Sequence, residues 1–171
     1  MKSQARSRQT RARRLTHLDA RGRASMVDVG AKPATRREAV AAGAIRMNAP
    51  AYAAIRRGAA AKGDAIAAAR LAGIGAAKRT ADLIPLCHAI PLDHVEIRLG
   101  WNDAAREVRV EAAARTRWST GVEMEALVAV SIALLTLYDM AKAIDRGMTI
   151  GPIGLVRKSG GRSGRFERTL A

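Results

Sequence analysis

What this sequence lacks narrows it first. A single cysteine in 171 residues, Cys87, leaves no disulfide framework to form, and a reducing cytoplasm is the expected compartment. Aromatic side chains make up only 3% of the chain, too few for the stacking platforms that hold single-stranded nucleic acid. Three histidines and one thiol offer no metal spacing: Cys87-His88 has no second cysteine beside it, and His94 alone completes no ligand set. No metal site is expected from these residues. No apolar run reaches the ~20 residues of a bilayer-spanning helix. The run "ALVAVSIALLTLY" (126–138) falls short, so no membrane span is expected. The Arg-rich start has no apolar stretch, and so no secretory signal.

Acids are scarce too. The chain has 15 of them against 30 lysines and arginines, a net charge of +15. Such a surplus suggests a small basic nucleic-acid-binding protein. Its distribution weakens that idea. Six of the positive charges lie in "MKSQARSRQTRARR" (1–14), which holds no acid. This segment reads as a disordered basic tail in preference to a transit peptide, and 15–171 as a single domain. More charge gathers in "RKSGGRSGRFER". Cations on a folded body serve a polyphosphate ligand as well as they serve DNA.

What is present is aliphatic and rich in alanine. At 49% hydrophobic residues, the chain can bury a core. "ASMVDVG" (24–30) reads as a short extended piece. "ATRREAVAAGAIRMN" (34–48) fits strand or helix, and a strand over about 37–47 is preferred. Asn48-Ala49-Pro50 opens a helix over 50–57 that Gly58 closes. Residues 62–84 read as one helix with Asp64 as N-cap; Gly73 and Gly75 suggest close approach to another backbone. "DHVEIRLGW" and "REVRVEAAART" alternate with period two about the turn "NDAA", which is a β-hairpin. Residues 120–145 form a long helix from an N-cap at Thr120 to a stop at Gly147. It is apolar on nearly all faces, which places it between a sheet and another subunit. "MTIGPIGLVRK" closes as a strand ahead of the Gly/Ser-rich "SGGRSG".

Several short stretches could carry chemistry, each with a plainer alternative. Cys87 and His88 sit in "DLIPLCHAIPLDH", but neighbours in an extended segment point apart. The thiol fits a small buried hydrophobe; the imidazole fits a site or a structural role equally well. Glu123 and Glu125 of "GVEMEAL" either complement the helix dipole or meet a polar ligand. Asp139 and Lys142 of "YDMAK" share a helix face, as a surface ion pair or as a carboxylate orienting an ammonium. "RKSGGRSG" offers glycine-freed amides beside Arg and Lys, a phosphate grip or a mobile terminus. It is not a Walker A loop, and "GIGAAKRT" lacks the third glycine of a dinucleotide fingerprint.

Together these stretches say more. "LTHLD…MVDVG", "KGD", "AGIGAAKRTADLIPLCH", "GVEMEAL", "LYDMAKA" and "IGPIGLVRKSGGRSG" occur in the order and approximate spacing of the molybdenum cofactor biosynthesis protein C (MoaC) family. The chain resembles that family over roughly 15–168. The resemblance implies an α+β fold with a ferredoxin-like antiparallel sheet packed on long helices. It implies a lyase, cyclic pyranopterin monophosphate synthase, acting on 3′,8-cyclo-7,8-dihydro-GTP and releasing pyrophosphate, with no cofactor. An upstream radical SAM enzyme would supply the substrate. A homohexamer, a trimer of dimers with sites at subunit interfaces, is implied as well. Matched position by position, Asp139, Lys142, Lys158 and Lys62 take the catalytic places. Leu86, Cys87, His88, Met124, Glu125, Glu123 and Arg37 take the substrate-binding ones. The pattern departs at Ala89-Ile90, where a proline is expected after the histidine, at Ala141, where cysteine is common, and at Arg162, where lysine is frequent.

Overall fold

A computed structural model of the chain describes residues 21–58, 63–162 and 164–170. Among them, six strands and four helices run in the order β1 (Thr35–Arg46), α1 (Ala49–Arg56), α2 (Ala65–Ala77), α3 (Thr80–Leu83), β2 (His94–Asn102), β3 (Glu107–Trp118), α4 (Glu123–Ala141), β4 (Thr149–Ile150), β5 (Gly154–Ser159) and β6 (Phe166–Glu167). The sheet runs β2-β3-β1-β5-β6, with β4 also beside β1. Every pairing is antiparallel. The helix α2 connects β1 to β2, and α4 connects β3 to β5. These are the two interleaved βαβ units of a ferredoxin-like α+β fold, as the resemblance implies.

The ambiguous stretch 34–48 is a strand because it is the middle of the sheet. β1 pairs with β3 over its whole length and with β5 on its other side. Its alternate residues Ala39, Ala41 and Ile45 are fully buried, as are Val108, Ala112 and Ala114 of β3. Small side chains there let α4 lie close, through Ala126, Ala129, Ala133, Leu134 and Leu137. Truncating Leu134 or Leu137 would cost about 2–5 kcal/mol. Gly73 of α2 lies against α4: a Cβ there would stand 3.0 Å from the Ala129 carbonyl oxygen. Gly75 does not share this role, since no described atom of another segment lies within 4 Å of its Cβ position.

Several boundaries differ from those expected. Residues 24–30 form no strand beyond a single bridge at Ala24. The helix expected over 62–84 is broken: Asp64 caps it, accepting from Ile66 and Ala67, but α2 ends at Ala77. Thr80 Oγ1 donates to the Ala77 carbonyl at 3.0 Å, occupying an acceptor near the end of the turn, and a single short turn, α3, comes next. Thr120 does not cap α4. The helix begins after Val122 with no side-chain cap, and Glu123 and Glu125 compensate its dipole. It ends at Ala141 with Lys142 as C-cap, short of Gly147. The closing strand is two strands, β4 and β5, separated by a cis Gly151–Pro152 bond. Beyond it, β6 turns the glycine-rich stretch into a hairpin loop: Lys158 stands opposite Ala39 on one side and Phe166 on the other.

At 19 residues α4 is long and apolar enough to cross a membrane by length and composition alone. Its packing against β1, β3 and α2 makes it the core helix of the fold. Leu135 of α4 and Leu71 of α2 remain 53% and 70% exposed.

Candidate active site

One end of the sheet gathers most of the expected residues. Segment 84–93 reaches it by a tight turn, with Pro85 at its second position and the Cys87 N–H donating to the Ile84 carbonyl at 3.0 Å. The segment is then pinned to β3. Thr116 Oγ1 donates to the Pro91 carbonyl at 2.5 Å, and the Asp93 N–H to the Arg115 carbonyl at 2.9 Å. Cys87 and His88 are thereby held beside the start of α4. Residues 87–92, after the turn at 85–86, form no regular element.

The N-terminus of α4 brings Glu123 and Glu125. Glu123 Oε1 accepts from Lys158 Nζ at 3.0 Å, both side chains half-buried. This links the first turn of α4 to β5. The Glu123 carboxylate lies on Gly121, where a Cβ would occupy its place. Glu125 is buried, 4% exposed. Burial raises its carboxyl from the ordinary range to about 7, the nearby Glu123 charge adds to the rise, and a backbone hydrogen bond partly opposes it. Burial also pushes the Cys87 thiol up, helped by the charge of Glu125. A thiol held in this way is not an activated nucleophile.

Arg37 enters from β1. One of its terminal nitrogens donates to the Ser119 carbonyl at 3.3 Å, and its Nε is buried without a hydrogen-bond partner among the described residues. The guanidinium lies against the glycine loop. A Cβ on Gly161 would fall on it, and one on Gly160 on the Arg36 carbonyl. Gly160 and Gly161 have positive φ, +91° and +72°, so the loop needs their freedom twice over.

A depression of about 660 Å³ opens here, lined among others by Lys32, Cys87, His88, Trp118 and Ser119. Lys32 and Trp118 are not among the expected site residues. Nothing in the local pattern around "GAKPA" marks Lys32; its place beside His88 comes from the chain passing back over segment 85–91. Leu86 and Met124 are half-buried and flank Cys87 and Glu125 in sequence.

Two of the expected residues stand elsewhere. Asp139 and Lys142 form an exposed pair at 2.7 Å at the far end of α4. At 1.5 Å per residue they lie about 24 and 28 Å along the helix from Glu123. Within one subunit they do not meet Lys158. Lys62 lies outside the described residues, as does the tail 1–14. An adjoining hollow of about 610 Å³, lined by Arg36, His94, Arg115 and Arg117, holds none of the candidates. Across the sheet the basic surplus is interleaved with acid: Glu38 pairs with Arg115 and Arg157, Glu96 with Arg98, and Glu107 with Arg46. That is not the uniform basic stripe a nucleic-acid backbone requires.

Fold and site define a class: a ferredoxin-like α+β domain with a ligand-sized depression that carries Lys32 and His88, at the same end of the sheet as a buried carboxyl raised to about 7. The chain belongs to the MoaC family, whose model matches residues 26–161. It is 60% identical over 152 residues to a protein of Roseiflexus sp. (strain RS-1), covering 89% of this chain and 96% of the relative. It is 56% identical over 154 residues to one from Thermomicrobium roseum, covering 90% and 93%. A Cereibacter sphaeroides (strain KD131) relative is 57% identical over 153 residues, covering 90% and 96%. Each of the three is named cyclic pyranopterin monophosphate synthase.

Proposed function

We propose that the chain is a cyclic pyranopterin monophosphate synthase, a lyase of molybdenum cofactor biosynthesis. It converts 3′,8-cyclo-7,8-dihydro-GTP to cyclic pyranopterin monophosphate and pyrophosphate. Its substrate comes from an upstream radical SAM enzyme, and it works in the cytoplasm without a cofactor. The observation that carries this is the buried Glu125, at about 7, next to the Glu123–Lys158 pair. Opening and rebuilding a purine-derived ring takes proton transfers, and a group that titrates near neutrality can both give and take protons.

The cations serve the other half of the reaction. A triphosphate must be held while a cyclic phosphate forms and pyrophosphate leaves. Lys32 supplies an ammonium in the depression, and Arg37 and the glycine loop a guanidinium and free amides at the same end of the sheet. Cys87 contributes a wall and no covalent chemistry. Lys158 is the proton-transferring lysine of this end, and Lys142, oriented by Asp139, is that of the other. Lys62 joins them.

Because Asp139 and Lys142 lie a helix length away, a complete site requires two copies of the chain. The exposed Leu71 and Leu135 offer apolar surface for that contact. A hexamer built as a trimer of dimers satisfies this. Residues 1–14 take no part.

Incubating the purified protein with 3′,8-cyclo-7,8-dihydro-GTP tests the assignment. Cyclic pyranopterin monophosphate and pyrophosphate should appear in equal amounts by mass spectrometry. Absence of both from a folded, oligomeric preparation overturns it.

A further inference from the structure

The imidazole of His88 is held by one nitrogen. Its Nε2 lies 2.8 Å from the Val27 carbonyl oxygen. A carbonyl oxygen only accepts, so Nε2 carries the proton, and in the neutral ring Nδ1 is left as the one lone pair. The carbonyl is itself aimed by the residues just after Val27. Asp28 Oδ1 accepts the Gly30 N–H at 2.8 Å, and the Lys32 N–H donates to the Val29 carbonyl at 3.0 Å. Two successive turns therefore fold residues 28–32 back on themselves. The side chain of Lys32, at the end of the second turn, lines the same depression as His88. Asp28 is exposed, so its carboxylate adds little to stability; what it fixes is a direction.

We propose that the Asp28 turn aims the Val27 carbonyl at His88 and fixes the imidazole as the Nε2–H tautomer, so that Nδ1 is offered to substrate as an acceptor. Asp28 is thus a positioning residue. The consequence is selective. A neutral His88 held in this way cannot donate a hydrogen bond from Nδ1 to a phosphate oxygen. It can take one, or a proton, from an N–H or O–H of the substrate's ring system or sugar. This last step rests on the function proposed above; the tautomer does not.

Long-range 1H–15N correlation spectra of the full chain labelled with [15N]histidine read the tautomer directly. Only His17, His88 and His94 contribute, and His88→Gln assigns the signal. At about pH 8, where free imidazole is neutral, His88 should show a protonated Nε2 and an unprotonated Nδ1. Asp28→Asn should keep this pattern, because a carboxamide oxygen accepts the same Gly30 N–H. Asp28→Ala should give a mixture of tautomers and lower kcat by about tenfold, with KM within about twofold. A wild-type His88 protonated on Nδ1 overturns the proposal, and that spectrum decides even if Asp28→Ala does not fold. An Asp28→Ala spectrum matching wild type, with the His94 signals unchanged, overturns the role of Asp28. Because the spectra need no substrate, failure of the tautomer and failure of the enzymatic assignment are told apart.

Discussion

The two ends of helix α4 carry similar residues in different settings. At its N-terminus Glu123 meets Lys158 from another strand, both half-buried, over a carboxyl, Glu125, that burial has pushed to about 7. At its C-terminus Asp139 meets Lys142 from the same helix, the two side chains 50% and 52% exposed. The first pair ties together elements distant in sequence; the second lies within one helix. An exposed i, i+3 pair is worth a few tenths of a kcal/mol. Under the proposed function its value comes from what it faces in an assembly, so that one end is finished by folding and the other by association.

The largest effect should come from breaking the folded end. Lys158→Ala should cut turnover by at least about a hundredfold while leaving substrate affinity within about tenfold. Lys158→Arg should not restore it, since arginine cannot surrender its proton. Normal turnover by Lys158→Arg would reduce the residue to an electrostatic clamp.

Mixing tests the comparison itself. Lys158→Ala and Lys142→Ala should each be nearly inactive alone. Unfolded together and refolded at equal amounts, they should regain activity in about a quarter of the sites, those drawing one intact end from each parent. If the mixture stays as inactive as its parents, the two ends do not share a site.

Glu125 should give the folded end a pH signature. Its folded pKa is about 7, above the ordinary 4.5. The unfolded chain therefore loses this proton first, and the contribution of Glu125 to stability falls as pH rises from about 4.5 to 7. Glu125→Gln should remove that slope. Its gain over wild type in urea denaturation should be larger at pH 8 than at pH 4.5 by about 1–2 kcal/mol, a value discounted for solvent reaching the cleft. An equal difference at both pH values would show that Glu125 is ionised in the folded protein. The smallest effect belongs to the thiol: Cys87→Ser should keep activity within about threefold, and full inactivation of a folded variant would point to covalent catalysis.

Much of this is legible in the sequence, for identifiable reasons. The hairpin β2–β3 shows its period because one of its faces carries charge: Glu96, Arg98, Arg109 and Glu111 alternate with buried residues. The N-caps Asn48 and Asp64 act locally, so local sequence reveals them. β1 is ambiguous because "AVAAGAI" is apolar on both faces and alanine favours helix; only its neighbours on both sides make it a strand. Arg37, Glu123, Glu125, Cys87, His88 and Lys158 stand out from their motifs, and they do converge on one end of the sheet. The separation of Asp139 from Glu123 is readable as well, since one helix over 120–145 sets 16 residues, about 24 Å, between them. Lys32 and the Val27 carbonyl escape notice because backbone acceptors and contacts across 61 residues leave no local pattern.

The central place of β1 has a consequence for the newborn chain. Its partner β3 arrives early in synthesis, but β5, 119 residues along at the Glu38–Arg157 contact, arrives late. Until then one flank of an alanine-rich strand stands open, the kind of edge that recruits other chains. The strand that closes it is the one bearing Lys158. Lys158, the lysine proposed for chemistry, thus rides on the segment that closes this edge, and a ribosome stalled before residue 154 would release neither an enzyme nor a safely folded protein.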